Sequence, residues 1–96
     1  MPELTFEVRW PDGRMQQCYS PSLVIHDYLS VGSDYTVNDF IERSGIALQE
    51  ASDRVRAKFG FACTSAAETA ARIHSAAAEF APTAVVRVVA MNPEHP

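Results

Sequence analysis

The pattern of apolar residues in the amino-terminal segment limits the fold of this chain more than any other feature. Apolar and polar side chains alternate over residues 4–10, which is the period of a β-strand with one buried face. The next residues, Pro-Asp-Gly at 11–13, favour a tight turn that is closed by a glycine with positive φ. If strand pairing continues across this turn, Phe6 lies opposite Cys18. The sequence therefore predicts a β-hairpin whose second strand spans about residues 14–19.

A long apolar repeat of helical period follows. Over residues 37–59 apolar residues recur at steps of three and four, which predicts one amphipathic helix. Thr36 and Asp39 have the spacing of an amino-terminal capping pair, and Gly60 has the position of a left-handed residue that ends a helix. Gly45 costs about 1 kcal/mol relative to alanine inside a helix. We therefore expect Gly45 to lie where the helix packs closely against a neighbour.

A second helix and a third strand complete the predicted elements. Ser65 and Glu68 have capping-box spacing and open an alanine-rich repeat of helical period, which Pro82 ends. Residues 84–91 are rich in valine and apolar on both sides except at Arg87. This composition is typical of a strand in the middle of a sheet or under a heavily covered part of it.

The element order strand, strand, helix, helix, strand predicts an α+β fold. A small sheet must bury its apolar face, so we expect a three-stranded antiparallel sheet with two helices packed on one face and the last strand beside the first. Residues 1–96 suffice for a single domain, with a polar tail at 92–96. The apolar segment 23–29 fits a single helical turn and an extended edge segment equally well.

Charge and motif content exclude several classes of function. Twelve acidic against eight basic side chains give a net charge of −4, so we expect no nucleic-acid partner. No apolar run approaches the ~20 residues of a membrane span and the amino terminus lacks a secretory signal, so we expect a cytoplasmic protein without a membrane partner. The sequence has no phosphate-binding loop, no metal-ligand spacing and no CxxC motif. We therefore expect no cofactor, no metal and reduced thiols.

Three side chains are candidates for chemistry. Cys18 lies on the second predicted strand and is a nucleophile only if a base approaches it, whereas a buried cysteine that only packs is the more frequent case. Cys63 lies near the amino end of the second helix, where the helix dipole favours a thiolate, so it is the better candidate for a reactive thiol. His26, next to Asp27, lies in the irregular segment, where functional groups often gather.

Three sequence motifs together resemble a known family. They lie at residues 9–13 (Arg-Trp-Pro-Asp-Gly), 18–22 (Cys-Tyr-Ser-Pro-Ser) and 54–63 (Arg-Val-Arg-Ala-Lys-Phe-Gly-Phe-Ala-Cys). They resemble the small bacterial family named for the nitrogen-starvation response, which is encoded with a nitrilase in a conserved gene cluster. The resemblance covers nearly the whole chain and implies a role in nitrogen scavenging, because the cluster has been tied to assimilation of cyanide or nitriles. The resemblance implies no catalytic residue for this chain.

These observations favour a non-enzymatic accessory or interaction protein over an enzyme. The resemblance implies protein partners from the same gene cluster. A homodimer is a further expectation, because an open sheet leaves edges that small proteins often cover by dimerising. The alternative is a small thiol-dependent enzyme or ligand carrier that uses Cys18 or Cys63 on nitrile- or cyanide-derived compounds. A transcriptional regulator is a weaker alternative, because the chain is acidic.

Overall fold

Four strands and two α-helices form the fold of residues 3–60 and 64–94, which are the residues that the computed structural model describes. A short 3-10 helix at Leu23–Asp27 links the hairpin to the third strand. The elements, in chain order, are β1 (Leu4–Arg9), β2 (Met15–Ser20), β3 (Asp34–Thr36), α1 (Val37–Phe59), α2 (Thr64–Ala77) and β4 (Val85–Asn92). The strands pair in the order β2-β1-β4-β3, and every pair is antiparallel.

The predicted hairpin is confirmed, including its register. Phe6 lies opposite Cys18, and the Trp10 N–H donates to the Arg14 carbonyl across the turn at 2.8 Å. Gly13 has a φ of 91°, a conformation that only glycine adopts without strain. The Pro-Asp-Gly turn therefore fixes which residues of β1 and β2 face the core.

The prediction of a three-stranded sheet is wrong, because β3 adds a fourth strand at the outer edge of β4. β3 has only three residues, too few to show an alternating pattern in the sequence. Its position depends on pairing with residues 85–87, and the Asp34 carboxylate accepts two hydrogen bonds from Arg87 at 2.7 and 3.2 Å. The predicted place of the last strand beside the first is confirmed, and β4 occupies the interior of the sheet.

One hydrophobic core joins the sheet to both helices. The buried side chains include large apolar residues from β1, β4, α1 and α2, all less than 5% exposed: Leu4, Phe6, Val8, Val86, Val88, Met91, Phe40, Leu48 and Ile73. Alternate residues of the strands, such as Glu7, Arg9 and Arg87, are half-buried or exposed on the other side of the sheet. The period-two pattern of β1 thus separates a covered face from an open one.

The first helix has the predicted ends. The Thr36 hydroxyl accepts a hydrogen bond from the Asp39 N–H at 3.1 Å, and Gly60 ends α1 with a φ of 80°. The expectation for Gly45 is wrong, because a Cβ added there meets no heavy atom within 4 Å. Gly45 therefore has no packing role that glycine alone fulfils.

The second helix differs from its prediction at both ends. It begins at Thr64, so Ser65 lies inside the first turn instead of capping it, and it ends at Ala77, before Pro82. After the helix, Phe80 stacks on Trp10 with ring centroids 5.7 Å apart and an angle of 12° between the planes. Neither helix is long and apolar enough to cross a membrane within the described ranges.

Candidate functional site

Cys18 is a buried packing residue on β2. Its side chain faces the core, is 3% exposed and forms no disulfide. Burial raises the pKa of the Cys18 thiol to about 12, because the thiolate loses its hydration, and the hydrogen bond to Gln16 and the charge of Arg72 offset only part of this effect. The thiol is therefore held protonated at neutral pH, which disfavours nucleophilic chemistry at this position.

The other two candidate residues lie apart from Cys18. Cys63 falls between α1 and α2, outside the described residues. His26 lies in the 3-10 helix, with its Nε2 atom 3.0 Å from the Pro93 carbonyl oxygen. The His26 ring lines a cavity that Cys18 does not line. The structure therefore brings His26 and Cys18 into no common site.

The His26 cavity has a volume of about 480 Å³, within the range of small-molecule sites. Its wall is mainly apolar, and its polar groups come from His26, Ser30 and Glu94. The lining residues are His26, Leu29, Ser30, Val31, Val89, Ala90, Met91 and Glu94. The sequence analysis singled out His26 but assigned Glu94 to a polar tail. No local pattern shows that the chain returns to the 3-10 helix at the end of β4 and brings Glu94 to this cavity.

A second candidate site is the exposed edge of β2, which the sequence analysis did not single out. The hydrogen bond from Trp10 N–H to Arg14 C=O fixes the alternation of the ladder. The peptide groups of Met15, Gln17 and Tyr19 therefore point away from β1. β2 has six residues and contains neither a charged residue nor a proline, two features that protect sheet edges. Thr69 of α2 covers one end of this edge, where it bonds to the Tyr19 carbonyl.

The opposite edge of the sheet is protected in the usual ways. β3 is half as long as β2, and its Asp34 carries a charge that pairs with Arg87 on the neighbouring strand. Short length and charge both discourage the addition of another strand. The two edges of this sheet therefore differ, and β2 is the longer edge strand and the one without a charged side chain.

A groove follows the β2 edge on the side of α2, and we call it the β2–α2 groove. It comprises two cavities, of about 480 and 230 Å³, that share Gln16 and Arg72. At one end the Thr69 hydroxyl donates to the Tyr19 carbonyl at 2.7 Å. At the other end Arg14 bonds to Glu79 at 3.0 Å. These contacts hold α2 at a fixed position beside the edge strand.

Metal binding has no clear location in this fold. Among residues 3–60 and 64–94, no group of three or more His, Cys, Asp or Glu side chains is arranged to hold a metal ion. His26, the histidine that lines a cavity, has only Glu94 as an acidic neighbour in that lining. The candidate sites are thus a cavity and a strand edge.

Residues 3–60 and 64–94 form a small α+β protein whose candidate sites are the outer edge of β2 and the mainly apolar His26 cavity. The sequence model of the family described as nitrogen starvation-induced protein NitG matches residues 5–91. The chain therefore belongs to the NitG family, and the resemblance to a nitrogen-starvation family is confirmed. Comparison with curated proteins and with solved structures gave no match.

Proposed function

We propose that this protein is a non-enzymatic accessory protein of the nitrogen-starvation response, which acts by binding a protein partner along the β2 edge. Membership of the NitG family supports the nitrogen-starvation part of the proposal. The single observation that carries the binding part is the six-residue, uncharged edge strand. The protonated, buried thiol of Cys18 supports a structural role for that cysteine.

The physical basis of the proposal is strand addition. Peptide groups that point away from the sheet form hydrogen bonds with any extended segment laid beside them, and side-chain contacts then select the segment. Each such hydrogen bond contributes about 0.5–1.5 kcal/mol net, so the outward peptide groups of Met15 and Gln17 give a modest affinity that contacts in the β2–α2 groove increase.

The partner that we propose is a protein encoded in the same nitrilase gene cluster, in a cytoplasmic pathway that assimilates nitrogen from nitriles or cyanide. This part rests on the resemblance described above. The resemblance limits the candidate partners to the few proteins that the cluster encodes. Binding of any one of these proteins along β2 supports the proposal.

Capture of the partner in nitrogen-starved cells tests the proposal. Tagged protein is cross-linked, purified and analysed by mass spectrometry. Gln17→Pro removes an outward N–H and is tolerated at a sheet edge, whereas the matched control Gln17→Thr keeps that N–H. We expect a cluster protein with the original chain and with Gln17→Thr, and its loss with Gln17→Pro.

Two results contradict the proposal. One is equal recovery of the cluster protein with Gln17→Pro, and the other is the absence of cluster proteins from every sample. Thermal denaturation followed by circular dichroism shows whether both variants remain folded. If Gln17→Pro unfolds, Gln17→Glu replaces it, because a charge at the edge also blocks strand addition.

A second candidate function is that of a small-ligand carrier, and the His26 cavity favours it. The apolar wall with polar groups at one side suits a small molecule with an apolar body and a hydrogen-bonding end. Ala90→Phe fills the cavity, and Ala67→Phe on the exposed side of α2 is the matched control. Thermal-shift assays with short aliphatic nitriles and amides test this function. If the protein is a carrier, the ligand-dependent rise in melting temperature disappears with Ala90→Phe and persists with Ala67→Phe.

A further inference from the structure

Arg72 differs from the four arginines that form salt bridges among the described residues. Arg14, Arg43, Arg54 and Arg87 form salt bridges with carboxylates. Arg72 is exposed, lines both cavities of the β2–α2 groove and has no salt bridge among the described residues. It lines one of these cavities together with Gln17 and Cys18, which places the Arg72 side chain beside the middle of β2.

The α2 side of the groove consists mainly of small side chains, and Glu79, which is paired with Arg14, lies at its end. Ala71, Ser75 and Ala76 line the α2 side, and Gln16 lines the β2 side. Trp10 donates a hydrogen bond to the Gln16 side-chain oxygen at 3.0 Å, which orients that side chain. Small residues on the helix leave space for another polypeptide backbone beside β2.

We infer that the β2–α2 groove binds an extended segment of a partner protein that carries an acidic side chain opposite Arg72. This inference rests on the proposed function and names the chemistry of the partner. The segment adds to β2 as a strand, and its carboxylate accepts hydrogen bonds from the Arg72 guanidinium. Such charge-assisted bonds are roughly twice as strong as neutral ones and can be bidentate.

Charge also distinguishes this partner from a second copy of the chain. A symmetric pair of antiparallel β2 strands has its two-fold axis near Gln17, the middle of the outward-pointing residues. Since Arg72 lies in the same cavity as Gln17, that arrangement brings two Arg72 side chains together. Like charges at close range oppose the dimer, whereas an acidic segment neutralises Arg72.

Selection from a phage-displayed library of random linear peptides tests the inference with purified protein. We expect the selected peptides to be β-prone and to share one acidic position. Arg72→Glu should reverse that preference to a basic position, and a selected acidic peptide should lose affinity for Arg72→Glu by roughly tenfold or more. Arg56→Glu, an exposed change on α1, is the matched control and should leave affinity unchanged.

The outcomes separate this inference from the proposed function. Absence of selected peptides, or selected peptides with no acidic preference, overturns the inference. An acidic preference that survives Arg72→Glu also overturns it, because the carboxylate then binds elsewhere. Cross-linking in cells uses Gln17→Pro and does not depend on Arg72. A partner captured there without sensitivity to Arg72→Glu refutes the acidic chemistry and leaves strand addition supported.

Discussion

At the scale of single residues, burial determines what Cys18 contributes. A thiol that is 3% exposed loses the hydration of its thiolate, and its pKa rises to about 12. At pH 7 the ionised fraction is then about 1 in 100,000, too small for a nucleophile that works without a base. The side chain is thus best understood as a small apolar residue of the core.

The same shift predicts how stability depends on alkaline pH. The pKa of Cys18 is higher in the folded chain than its ordinary value of 9.0, so the unfolded chain releases the proton first. The stabilising contribution is complete below pH 9 and is lost as the pH rises towards 12. The free energy of unfolding should fall by at most about 1.4 kcal/mol per pH unit in this range.

Urea denaturation at a series of pH values measures this dependence. Cys18→Ala is the comparison, because it lacks the titrating group and should show a shallower decline above pH 9. The variant is less stable at every pH, since it leaves space in the core, so only the slopes are compared. Equal slopes for the two proteins contradict the assignment of the shift to Cys18.

At the scale of elements, the turn between β1 and β2 needs glycine at position 13 because of its backbone conformation, and not because a side chain would lack room there. Gly13 has a φ of 91°, and a Cβ added there meets nothing within 4 Å. Gly13→Val should therefore lower stability by about 1 kcal/mol or more through backbone strain alone. Chemical denaturation checks this value. Gly13→Asn should cost less, because asparagine tolerates positive φ. An unchanged midpoint for Gly13→Val contradicts the assigned turn.

The glycine inside α1 gives the opposite expectation. Gly45 lies in helical conformation with open space around its Cβ position. Gly45→Ala should raise the free energy of unfolding by about 0.5–1 kcal/mol, because alanine loses less backbone entropy in a helix. Gly60→Ala is the control and should be destabilising, since its φ is 80°. A destabilised Gly45→Ala variant contradicts the open space assigned to this position.

Elements with many residues of one period were predictable, and short elements were not. β1, α1 and β4 each bury a long regular set of apolar residues, so their patterns are visible in the sequence. β3 has three residues and exists because β4 lies beside it. The 3-10 helix fits one of the two structures that the sequence left open. The sequence pattern therefore predicts an element that is stabilised by burial of its own apolar side chains. It does not predict an element that forms only because it pairs with a distant strand.

At the scale of the whole molecule, the candidate sites depend on contacts between distant segments. Glu94 reaches the His26 cavity only through the path of β4, and Arg72 reaches the β2 edge only through the packing of α2. No local motif encodes either contact. The sequence identified Cys18 and His26 as residue types with chemical potential, but it gave no sign that an exposed strand edge and a groove lie together.

A growth assay distinguishes binding from thiol chemistry in the intact protein. Under the proposed function, growth with cyanide or a nitrile as the sole nitrogen source should depend on this protein. Cys63→Ser should leave growth nearly unchanged, because serine keeps the size of the side chain and the proposed function uses no thiolate. Gln17→Pro should abolish growth, because it blocks strand addition. Loss of growth with Cys63→Ser, in a protein that still folds and captures its partner, supports a thiol-dependent enzyme instead.

The pairing of β1 with β4 has a consequence for how the protein is made. Val8 lies opposite Val88, so the two strands at the centre of the sheet come from opposite ends of the described chain. A growing chain on the ribosome completes β1, β2, α1 and α2 before β4 leaves the exit tunnel. Until then one hydrogen-bonding edge of β1 lacks its partner strand, and folding waits for a long loop to close. We therefore expect the native sheet to form only after β4 has been synthesised. Folding should then depend more on chaperones than it would in a sheet whose strands pair only with their neighbours in sequence.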